Sequence, residues 1–245
     1  SILVRTPSAT LLIDPNFGSQ LADDLNRAPW YSKVIMGDAS TKRSTLDAFT
    51  EAGLSPREVS AIAISHTHWD HVGGVRDFAP VPVMLNDAEW QWAQQQTGAF
   101  AGGTMPHMLE GQGARVKTFT FDGPPVLGFR ASHDVLGDGS VIAVPLEGHT
   151  PGSTGYLFAL STGVRVLYVG DAAWEHRGID QPVQKNPLVP IDADLQATGD
   201  TLGRLHAAQR DNADLQILTA HDFAGWYRLP MCREFAPRPQ ANRMP

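Results

Sequence analysis

Residues 65–71 read Ser-His-Thr-His-Trp-Asp-His, straight after the apolar run 59–64, and two glycines, Gly73 and Gly74, follow shortly. Three imidazoles and a carboxylate therefore crowd the end of one predicted strand. In extended backbone, side chains alternate sides, so His66 and His68 can point one way and chelate a single ion. Asp70 and His71 lie beyond them, where the chain is already turning. Four such groups overfill one tetrahedral ion, but they can divide between two neighbouring ions. Imidazole nitrogen with carboxylate oxygen favours zinc, with manganese, iron or cobalt as alternatives. One histidine here would read as part of a solvated turn, but a cluster with this ligand spacing reads as a metal site.

Three later apolar runs also stop on groups that can bind a metal. Residues 141–146 lead to His149, 166–169 to Asp171, and 217–220 to His221. Alone, each is a weak signal, because Gly-Asp after a strand is a common turn. Together and in order they imply strand ends that converge on one edge and hold distant ligands rigidly. Asp14 also ends an early apolar run, 10–13, before Pro15. It carries two readings: a turn-forming Asp before proline, or a carboxylate behind the metal ligands that orients them.

The motif His66-Thr67-His68-Trp69-Asp70-His71 resembles the HxHxDH signature of the metallo-β-lactamase superfamily, whose members are mostly metal-dependent hydrolases. The resemblance implies an αββα sandwich: two mixed β-sheets face to face, with helices outside. It implies two divalent metal ions, zinc by preference. His66, His68 and His149 would hold the first and Asp70, His71 and His221 the second, with Asp171 bridging both. Two such ions share a water and make hydroxide available at neutral pH to attack a polarised carbonyl or phosphoryl centre. Asp70 would then be the catalytic carboxylate, orienting the nucleophile or carrying a proton.

The spacing of Gly137-Asp138-Gly139-Ser140, Gly148-His149-Thr150-Pro151-Gly152 and Gly170-Asp171 looks like the acyl-homoserine-lactone lactonase branch. Those lactonases carry a tyrosine three residues after the bridging Asp, where this chain has Trp174. An indole N–H donates a hydrogen bond but cannot transfer a proton as a phenol can. A small ester or lactone is the expected substrate. β-Lactam or phosphoester hydrolysis is the alternative, and a non-catalytic metal-binding module is the alternative of another class. Trp69, Trp174, Met105 and His176 are expected to face the substrate, Trp69, Trp174 and Met105 supplying an apolar wall.

The elements that must position these groups follow from the pattern. Strands are expected at 2–5, 10–13, 81–85, 116–121, 126–130, 141–144, 156–159, 164–169 and 215–218. Helices are expected from Ser40 or Thr41 to about Ala52, from Asn86 or Asp87 through Trp92, and over 192–212 with Leu195, Leu202 and Leu205 inward. Residues 97–113 and 174–190 lack periodicity and are expected to wall the pocket, the first as a lid.

Composition bounds the rest. The chain has 245 residues, 42% hydrophobic and 18% charged, which fits one globular domain over 1–245 ending in a surface tail at 235–245. A net charge of −7 argues against a nucleic-acid partner and leaves a small-molecule substrate as the expected one. A single cysteine, Cys232, excludes an internal disulfide framework and points to the cytoplasm. Because the sequence opens at Ser1, an exported form stays open. No apolar run reaches membrane-spanning length, so no membrane partner is expected.

Overall fold

Two short strands open the chain. β1 (Ile2–Arg5) and β2 (Thr10–Ile13) pair antiparallel, and β2 then lies parallel to β3 (Ala61–Ala63). β4 (Val83–Asn86) and β5 (Val116–Phe119) extend the sheet in parallel, giving the order β1-β2-β3-β4-β5. The second half builds a separate sheet from β6 (His133–Asp134), β7 (Val141–Pro145), β8 (Thr154–Ala159), β9 (Arg165–Tyr168) and β10 (Leu215–Leu218), in the order β10-β9-β8-β7-β6. There β9 and β10 are parallel and the other pairs antiparallel, so both sheets are mixed. The computed structural model describes residues 1–32, 36, 42–185, 191–222, 226 and 229.

The two-residue side-chain period sorts each strand into layers. Leu11 and Ile13 face the space between the sheets, where Ala61, Ala63, Tyr156 and Tyr168 share one buried cluster. Leu12, Ile62 and Ile64 point the opposite way, into a cluster with Phe49, Phe78 and Met108. On the far side Leu157, Leu167 and Ile217 pack with Leu202, Leu205 and Ala208. Three apolar layers separated by two sheets make an αββα sandwich. Each large side chain buried in them contributes roughly 1.5–3 kcal/mol.

The α-helices given bounds among the described residues are α1 (Leu21–Arg27), α2 (Thr45–Glu51), α3 (Trp69–Val72), α4 (Asp87–Gln95), α5 (Arg177–Asp180) and α6 (Leu195–Asp211). α2 starts later than expected. Ser44 is its cap, accepting from the Asp47 N–H while Asp47 reaches back, and the expected starts at Ser40 and Thr41 lie outside the described residues. α6 is capped by Asp194, and Leu195 in its first turn is 47% exposed, not inward. Residues 126–130 are not a strand: Leu127 and Gly128 take positive φ, 51° and 83°, and fold Val126 back onto Phe129. The tail at 235–245 and the last five residues of the 174–190 segment, 186–190, also lie outside the described residues. Among the described residues, no helix is long and apolar enough to cross a membrane.

Candidate metal centre

β7, β9 and β10 run in one direction within their sheet, so their C-terminal ends share an edge. His149 follows β7, Asp171 follows β9 and His221 follows β10. β3 delivers the first cluster to the same place from the other sheet. The two sheets are joined there by the Thr154 N–H donating to Ser65 O and the Tyr156 hydroxyl donating to Ile64 O. His66 follows β3, His68, in extended backbone, is the N-cap of α3, and α3 presents Asp70 and His71 from its single turn.

Three groups of side chains converge. His66, His68 and His149 form one, His66, His71 and Asp171 a second, and Asp70, His71 and His221 a third, each with ligand atoms mutually within 4.8 Å. His68 Nδ1 and His149 Nε2 are 2.9 Å apart, and His71 Nε2 and His221 Nε2 both lie 3.2 Å from Asp171 Oδ1. His149 Nε2 is 3.6 Å from Asp171 Oδ2, so this carboxylate stands between the two outer groups. Asp70 Oδ2 is 3.7 Å from His221 Nε2 and 3.9 Å from His71 Nε2.

The outward nitrogens are already engaged. Ser65 Oγ faces His66 Nδ1 at 3.0 Å, Asp14 faces His71 Nδ1 at 2.8 Å and Asp192 faces His149 Nδ1 at 2.8 Å. That leaves each Nε2 aimed inward with its lone pair. His66 Nε2 and Asp171 Oδ1 are buried without a hydrogen-bond partner. Buried polar atoms are normally satisfied, so two such orphans facing one another's ligands fit a pair of divalent ions. Burial, with the neighbouring imidazoles, holds His66 and His68 well below the usual histidine range, in the neutral form a metal requires. His71 is also fully buried, but Asp171, Asp14 and Asp70 outweigh desolvation and raise it.

A family-level profile described as "Metallo-beta-lactamase superfamily" matches residues 1–221. The chain belongs to the metallo-β-lactamase superfamily. Within it, a probable metallo-hydrolase of Mycobacterium bovis is 27% identical over 236 residues, spanning 90% of this chain and 73% of that one. The N-acyl homoserine lactonase AttM of Agrobacterium fabrum is 23% identical over 242 residues, spanning 95% and 85%. In fold, the chain superposes on AidC, a dizinc quorum-quenching lactonase solved with a product, at a TM-score of 0.62 and 17% identity, over 90% of this chain and 71% of that one. The chain is thus a hydrolase of the metallo-β-lactamase superfamily, with lactonases among its relatives.

Carboxylates brace this metallo-β-lactamase-fold centre from behind its candidate ligands. Asp14, at φ 46° and fully buried, accepts from the Ser65 N–H, Ser65 Oγ, the Tyr168 hydroxyl and His71. Asp14 therefore makes the turn after β2 and also stands behind Ser65 and His71. Two braces were not visible in the sequence. Glu89, fully buried in the first turn of α4, accepts from Thr67 N–H and Oγ1 and from Thr150 Oγ1 and the Gly152 N–H. It joins the loop carrying His66 and His68 to the loop carrying His149. Asp192, behind His149, precedes the α6 cap in a stretch that reads only as a helix start.

The centre opens at the base of a cavity of about 720 Å³. Trp69 and Trp174, expected to face the substrate, line it together with Phe17, Trp92 and Phe100. Met105 does not: it is 1% exposed in the layer outside the first sheet, because the chain turns inward after Gly103. His176 does not line the cavity either. It caps α5, with its Nε2 3.5 Å from Asp180 and its N–H donated to Asp222. Loop residue His107 is paired instead with buried Asp24, which also holds Arg76.

Proposed function

We propose that this chain is a binuclear zinc hydrolase acting on a small, largely apolar ester or lactone. The observation that carries the reading is the set of seven side chains, His66, His68, Asp70, His71, His149, Asp171 and His221, closing around two orphaned buried atoms at the base of an aromatic cavity. His66, His68 and His149 would hold one ion, Asp70, His71 and His221 the other, and Asp171 both. The ions, when bound, supply a nucleophile from water and stabilise the developing oxyanion.

What remains falls to the chain itself. Asp70, with its side chain 19% exposed at the cavity floor, is placed to orient the attacking water and pass a proton toward the departing alkoxide. Trp69, Trp92, Trp174 and Phe100 provide apolar walls that exclude water and hold an acyl or aromatic group. Among the described lining residues Lys42 is the single lysine or arginine, which argues against a phosphate clamp and so against phosphoesters. The dizinc lactonase of like fold and the lactonase relatives support the same reading.

Rates on matched lactone, β-lactam and phosphotriester substrates, with zinc content verified, test it. The lactone should lead. A preference of orders of magnitude for either of the others would overturn the substrate class, and no turnover of any would favour a metal-binding module.

A further inference from the structure

Trp174 lines the cavity 37% exposed, and its one polar side-chain atom is already engaged by another lining residue, Asp171. The indole N–H donates to Asp171 Oδ2 at 2.9 Å, while Asp171 Oδ1 is buried with no hydrogen-bond partner. A carboxylate held by one oxygen is fixed in its plane: Oδ1 then lies 3.2 Å from His71 Nε2, His221 Nε2 stands 3.2 Å from both oxygens, and Oδ2 faces His149 Nε2 at 3.6 Å. Because the N–H is engaged here, it does not serve a leaving group in the cavity. Indole is also suited to the position: it donates only, cannot ionise, and does not compete for a metal.

Trp174 is itself held, at its backbone and at its ring. Thr219 Oγ1 donates to the Trp174 carbonyl at 3.1 Å, and the Lys185 ammonium lies 5.5 Å from the ring centroid. At that distance a desolvated ammonium is attracted to the ring face, and the Lys185 side chain is only 6% exposed. The same ammonium donates to Asp192 Oδ1 at 2.8 Å, the oxygen that faces His149 Nδ1. Lys185 also lies 2.9 Å from His149 Nδ1, but both groups are donors there once Nε2 turns inward, so Asp192 takes both protons. One chain of contacts, Asp192 to Lys185 to Trp174 to Asp171, therefore links the setting of His149 to that of Asp171.

We propose that Trp174 is a positioning residue: its indole N–H orients the Asp171 carboxylate for metal binding, and Lys185 holds the ring in place while holding Asp192 against His149. The proposal rests on Asp171 being a metal ligand, and it does not depend on which substrate is hydrolysed.

The test uses zinc alone as the probe, on the full-length chain, by competition with a chromophoric chelator. Trp174→Phe removes the donor. Trp174→benzothienylalanine, placed by codon suppression, keeps the ring's size and face and replaces N–H with sulfur. Both should bind zinc about tenfold more weakly or worse, the usual effect of losing a group behind a ligand. The melting temperature of their metal-free forms should stay that of the parent chain. Lys185→Met should also weaken zinc binding, and Trp174→Phe combined with Lys185→Met should lose less than the two single losses multiplied. Parental zinc affinity in the benzothienylalanine chain would overturn the proposal. So would losses that multiply in the double variant, or a metal-free melting temperature that drops in step with affinity.

Discussion

Asp14 shows what a single side chain does in this protein. It is fully buried and accepts from four donors, three of them on residues within or beside the ligand set. Asp14→Ala leaves those donors unsatisfied, and denaturant unfolding of the metal-free chain should show a loss of about 3–5 kcal/mol. Asp70→Ala removes a group that faces the cavity, so kcat should fall about 10²–10⁴-fold. Zinc at His66, His68 and His149 should remain in that variant, which elemental analysis would show. Glu89 adds a pH dependence. Burial pushes its carboxyl up from the usual range, against the pull of the Thr150, Thr67 and Gly152 hydrogen bonds. A raised folded pKa means that its contribution is complete below the unfolded value, about 4.5, and is lost as pH rises through the folded value. Unfolding free energies measured from pH 4 upward should show that decline in the parent chain and not in Glu89→Gln.

At the scale of elements, the lid expected over 97–113 has a firmer role. The Trp69 N–H donates to the Gly103 carbonyl, and a Cβ on Gly103 would stand 2.6 Å from His68 Nε2. Gly103 also holds φ at 84°, where only glycine is at ease. This segment is therefore seated on His68, a candidate ligand, and only Phe100, Gly102 and Gly103 from it reach the cavity. Gly103→Ala should lower zinc content and activity together; activity lost at full zinc content would restore the lid. The strands bearing ligands were legible in the sequence because each is an apolar run that stops on a His or Asp. The 126–130 segment was misread because its apolar residues conceal a turn made by Leu127 and Gly128. Met105 was misread for a related reason: loop composition does not reveal which way a buried side chain faces. Glu89 and Asp192 were missed because a brace is defined by what it touches across the fold, and neither sits in a motif.

For the whole molecule, two sheets carry candidate ligands that lie as far apart in sequence as His66 and His221, and metal bound there would tie these ends together. Ions bound only by the folded chain stabilise it, by about 2.7 kcal/mol at a free concentration one hundred times the Kd. Removing zinc with a chelator should thus lower the melting temperature reversibly. The binuclear reading also fixes a number. The purified chain, dialysed free of excess zinc and assayed by elemental analysis, should carry two zinc ions per chain at full activity. Full activity at one zinc per chain, with no second ion bound, would contradict it.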